Sequence, residues 1–95
     1  MLYDPRWEPK KLWQTVLLDA ADYIEEYGWC QYRWQDGEKV CALSAISVTA
    51  GRNLEAIGRL RKFLGGRIDT WNDTVGRTKD EVVAALRACA LSGGR

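Results

Sequence analysis

The apolar residues between Leu12 and Tyr27 recur with a period that one regular backbone conformation satisfies. Projected at about 100° per residue, Leu12, Trp13, Val16, Leu17, Ala20, Tyr23, Ile24 and Tyr27 fall on one face. Gln14, Thr15, Asp19, Asp22, Glu25 and Glu26 occupy the other. An amphipathic helix is therefore expected to open after Pro9 and run to about Tyr27. Gly28 is its natural terminator, because glycine takes the left-handed conformation that closes a helix. Leu18 stands alone on the acidic side, either as an ordinary exposed leucine or as the mark of a contact.

Residues 29–40 read as a β-hairpin. Cys30, Tyr32 and Trp34 alternate with Gln31, Arg33 and Gln35, and Asp36-Gly37 offers the positive φ angles of a two-residue turn. That register sets Trp34 opposite Lys39 and Tyr32 opposite Cys41. Cys30 is then diagonal to Cys41 at about 7–8 Å, too far for an unstrained disulfide. Residues 41–50 are apolar nearly all round, as in a short helix passing through a core, and Gly51 ends them. Asn53 can cap the next helix, whose apolar side carries Leu54, Ile57, Leu60, Phe63 and Leu64, with Glu55 placed to pair with Arg59. Gly65-Gly66 stops it, and residues 67–74 look extended or looped, anchored by Ile68 and Trp71. Thr78 and Glu81 form a capping box before a last helix with a Val82, Val83, Leu86, Cys89 and Ala90 stripe. The expected architecture is mainly α with a minor β part: about four helices and a small hairpin. The 95 residues form one small domain, with a tail over about 1–9 and a frayed end over about 92–95.

The same residues bound the chemistry. There is no histidine to move protons at neutral pH, and three cysteines without a CxxC spacing do not make a tetrahedral metal site. Gly65-Gly66 lacks the downstream Lys-Ser or Lys-Thr of a phosphate loop. No catalytic residue, cofactor or metal is expected, and a hydrolase or transferase using Cys30 or the Trp71 loop ranks third among functions. The three thiols are expected to be free in a reducing cytoplasm. No run approaches the ~20 apolar residues of a membrane span. Fourteen basic against thirteen acidic side chains leave a net charge of +1, so any nucleic-acid binding needs a local patch.

Three surfaces remain as candidates. Trp71, Asn72, Asp73 and Arg77 read either as a ligand loop beside an aromatic wall or as a structured turn. In the turn, Trp71 plugs the core, Asn72 and Asp73 bond local backbone and Arg77 decorates the start of the last helix. The turn is the favoured reading. Residues 41–64 carry spacings similar to a helix-turn-helix, with Arg52, Arg59, Arg61 and Lys62 available to DNA. Against it stand Arg52 at a position usually aliphatic, a first helix that looks too buried, and the near-neutral charge. The third surface is for a protein partner. Tyr3 and Trp7 precede the first helix and either cover the core, the slightly favoured role, or serve as anchors beside Leu18, Asp19 and Asp22.

Gly28-Trp29-Cys30, the run from Val40 to Ile46, Trp71-Asn72-Asp73, and Gly76-Arg77-Thr78 with Glu81-Val82 occur in this order. Together they resemble a domain family of unknown function found in actinobacteria and their phages, over about residues 12–91. Members often have glycine where Ser44 stands, a departure that bears on close helix packing there. The resemblance implies no activity. It implies a phage or actinobacterial source and, by association, a protein that engages a host protein. The leading expectation is thus a non-enzymatic protein-binding module, ahead of a helix-turn-helix DNA binder.

Overall fold

A computed structural model describes residues 12–92. The amphipathic stripe becomes α1 (Trp13–Tyr27), which buries Trp13, Val16, Leu17, Ala20, Ala21 and Ile24. So wide a buried arc needs cover on two sides, and α1 packs chiefly against α5 (Lys79–Ser92) and α2 (Ala42–Ala50). Gly28 closes α1 at φ 105°, its amide donating to Ile24 O at 2.8 Å. Leu12, expected on the inner face, is instead the residue before the first turn and is 70% exposed. Leu18, expected in solvent, is half-buried and packs against the core.

The helix ends fall largely where local chemistry puts them. Asn53 Oδ1 accepts from Ala56 N at 2.9 Å at the start of α3 (Leu54–Leu64), and Gly65 ends α3 in the left-handed region. At α5 the capping box closes both ways: Glu81 N donates to Thr78 Oγ1 at 3.2 Å, and Thr78 N donates to Glu81 Oε1 at 2.9 Å. The face of α3 differs from expectation. Ala56 and Leu60 are its buried residues, while Leu54 and Phe63 stand in solvent. A fifth helix, α4 (Ile68–Asn72), replaces the loop expected over 67–74. One turn of helix has too few internal hydrogen bonds to form alone. Here the burial of Ile68 and Asn72 holds it.

The hairpin exists but its register moves. β1 (Gln35–Asp36) pairs antiparallel with β2 (Lys39–Val40), Gln35 opposite Val40 and Asp36 opposite Lys39. The turn is therefore Gly37-Glu38, with positive φ at Gly37 alone, the sign pattern of a type II′ turn. Residues 31–34 are a loop, and the Trp34–Lys39 and Tyr32–Cys41 pairings do not form. On its other side β2 meets the segment leaving α1 in a parallel bridge, Trp29 to Val40. Cys30 N donates to Val40 O at 3.1 Å and Val40 N to Gly28 O at 3.2 Å. A side chain at position 28 would bring its Cβ within 2.9 Å of Lys39 Cγ, so glycine serves both this approach and the helix end.

Among the described residues no helix is long and apolar enough to cross a membrane. In α2, Ser44 Oγ is fully buried and has no hydrogen-bond partner among the described residues.

Candidate functional site

Asn72, at the end of α4, is completely buried, and its side chain ties together three segments remote in sequence. Its Oδ1 accepts from Trp29 Nε1 at 2.7 Å and from Ala42 N at 3.0 Å. Its Nδ2 donates to Cys30 O at 3.1 Å and to Asp73 Oδ1 at 3.0 Å. Ala42 is the first residue of α2, whose opening amides have no partner inside the helix, so a residue thirty positions away caps it. The Cys41 thiol adds a second cap, accepting from Ser44 N at 3.3 Å.

The clasp continues onto the 31–34 loop. Gln31 Nε2 donates to Asn72 O at 3.1 Å and Thr74 O at 3.0 Å. Asp73 Oδ1 accepts from Tyr32 N at 2.8 Å. That last bond holds Tyr32 at φ 65°, the single non-glycine residue with positive φ among those described. The left-handed region costs an ordinary L-residue about 1–2 kcal/mol. Yet the Tyr32 ring gains little burial in return, being 66% exposed, with Trp34 also exposed at 50%. Both rings flank a cleft of about 380 Å³ that also borders Arg33, Cys41, Leu43, Asp69, Asn72 and Asp73.

The Trp71 loop is consumed by structure. The Arg77 guanidinium lies over the Trp71 ring at 4.0 Å, its Nε donates to Trp71 O at 3.1 Å, and it reaches Glu81 at 3.7 Å. Trp71 is half-buried against the core rather than a plug within it. Asn72, expected to bond local backbone, spans 30 to 43 positions in three of its bonds.

The acidic face of α1 is partly neutralised from within. Arg87 reaches Asp22 at 3.1 Å and Glu25 at 3.8 Å, and Asp19 and Asp22 border a shallow hollow with Tyr23 and Tyr27. Tyr3 and Trp7 lie outside the described residues. On α3, Arg59 is engaged by Glu55 at 3.8 Å and by the Trp13 ring at 4.8 Å, although it is exposed, as are Arg61, Lys62 and the preceding Arg52. The four basic residues of the DNA reading are thus not equally available.

All three cysteines are buried free thiols, and burial pushes each thiol pKa up. Cys30 Sγ points at the Arg33 and Lys39 carbonyls at 3.6 and 3.7 Å. Among the described residues no three metal-capable side chains come together.

A profile of a family of unknown function, DUF6197, matches residues 9–91. The chain belongs to that family. Comparison with curated proteins and with solved structures finds no match. The DUF6197 match spans every segment that meets at Asn72: the Trp29 segment, the start of α2, and α4. Sequence reasoning placed Asn72 and Asp73 on a candidate loop but missed Trp29, Gln31, Tyr32 and Trp34 as its counterpart. Their one visible signal was an aromatic density in residues 29–34 that a two-stranded hairpin does not need.

Proposed function

We propose that this DUF6197 protein is a non-enzymatic protein-binding module whose contact surface is the 31–34 loop with the adjoining cleft. The observation that carries this reading is Tyr32: an exposed aromatic held in a costly backbone conformation by Asp73, which is itself fixed by the buried Asn72. Strain kept without a packing return marks sites under a demand other than stability. Tyrosine and tryptophan on a pre-ordered loop are also the side chains that most often dominate protein interfaces. A phage source, one of the two that the sequence resemblance implies, would make the partner a host-cell protein, and free buried thiols suit a reducing cytoplasm. The helix-turn-helix alternative ranks below it, because Arg59 is held against Trp13 and Glu55.

The test separates binding from folding. Tyr32→Gly should leave Tm unchanged or raise it by a few degrees, because glycine takes positive φ freely. It should nonetheless remove partner capture from native cells, read by affinity purification and mass spectrometry. Trp34→Ala should do the same with Tm unchanged. Full capture by both folded variants would defeat the proposal.

A further inference from the structure

The cleft beside Tyr32 and Trp34 does not end at α4. Leu43 and Asp69 border both it and a second hollow of about 430 Å³ that runs to Ile57, Arg61 and Arg67. Side by side, the two make a trough whose lining includes the apolar Leu43, Ile57 and Ile68, three guanidinium groups, Arg33, Arg61 and Arg67, and two carboxylates, Asp69 and Asp73.

The rim charges are not equivalent. Asp69 is occupied by its own chain: Arg67 grips it through two bonds, at 3.0 and 2.7 Å, and Thr70 N donates to it at 2.8 Å. This holds its carboxyl below the usual range. Asp73 Oδ1 accepts from Tyr32 N and Asn72 Nδ2. The guanidinium groups keep donors to spare, since each has five N–H bonds. Arg67 gives two to Asp69. Arg33 has one long contact, to Asp36 at 3.9 Å, and Arg61 forms no ion pair among the described residues. An apolar lining with unspent cationic donors complements an anionic ligand that also carries an apolar group.

We propose that the trough takes an acidic peptide segment of a partner protein. An apolar side chain would seat over Leu43 between Trp34 and Ile57, and carboxylates on either side would meet Arg33 and Arg61. The proposal rests on the protein-binding reading above and names the chemistry of the partner.

The experiment is selection of a random library of about twelve-residue peptides against the whole protein. Fluorescein-labelled synthetic copies of the winners are then titrated by anisotropy. The expected winners carry Asp or Glu on both sides of an apolar residue. Their affinity should fall at least about tenfold with Arg61→Glu, less with Arg61→Gln, and decline with added salt. Both variants change an exposed side chain, and unchanged Tm confirms that they fold. Winners that lack acidic residues, or that bind Arg61→Glu as tightly as the parent, would overturn the acidic assignment. If those winners still require Trp34, the protein-binding reading survives. No enrichment at all, or tighter Arg61-dependent binding of a labelled duplex DNA than of any peptide, would overturn both.

Discussion

The α1–α5 pair and the clasp around Asn72 hold this fold by different means. α1 and α5 meet through interlocking apolar stripes, and α5 starts at a cap contained within four residues. The clasp depends on one amide side chain that satisfies an indole and a carbonyl of the Trp29-Cys30 segment and the opening amide of α2. Apolar packing is spread over many contacts, so each can be altered for a limited loss. A buried polar hub is concentrated, because removing it strands every group it served. The aromatic loop sits on the concentrated side. A precise surface is therefore obtained from a segment with little regular structure of its own.

Asn72→Ala breaks the comparison most directly. It leaves Trp29 Nε1, Ala42 N and Cys30 O unpaired in the interior and should cost about 4 kcal/mol, from about 1–3 per stranded group. Urea unfolding measures the loss, and amide exchange should quicken first at Tyr32 and Ala42. A cost near that of a surface substitution would mean the clasp is incidental.

Ser44→Ala should act in the opposite direction. It removes a buried hydroxyl without a partner and improves helix propensity, for a gain of about 1–2 kcal/mol. Thermal unfolding reads it, and any destabilisation would show that Ser44 Oγ is satisfied in solution. Thr78→Ala, the local counterpart of the Asn72 change, should cost about 1 kcal/mol, with amide exchange quickening only near Glu81.

The smallest effect concerns alkaline pH. Burial raises the folded-state pKa of Cys30, Cys41 and Cys89, so the folded protein holds thiol protons that the unfolded chain releases. Their contribution is complete below the ordinary thiol value of about 9.0 and is lost as pH rises through the folded values. Unfolding at pH 7 and pH 10 should show the decline. Cys30→Ala and Cys41→Ala report on the clasped region and Cys89→Ala on α5. No decline in the parent protein would place the thiols in water.

What could be read along the chain was what the chain decides locally. Asn53 and Thr78 cap helices because their oxygens reach amides three positions ahead. Gly28 and Gly65 end helices because positive φ is cheap for glycine alone. Where readings failed, a distant group had intervened. Asp36-Gly37 is a sound turn pair, but β2 is held on its far side by Gly28 and Cys30, and the turn falls at Gly37-Glu38. The apolar side of α3 was drawn too wide, since Leu54 and Phe63 stand on its exposed arc. The candidate site was half legible: the Trp71-Asn72-Asp73 run stood out as a polar cluster, and the loop it holds did not.

The helical class and the limits of α2, α3 and α5 were set within the chain itself. All of these follow from periodicity, caps and residue types that act within a few positions. Long-range packing, by contrast, makes α4 form, sets Asn72 to cap α2 and anchor Trp29, and holds Tyr32 at positive φ in solvent. Those outcomes depend on hydrogen bonds across 30 to 43 positions. No local pattern encodes them, because the partners lie far apart in the chain and are brought together by the packing of the helices around them.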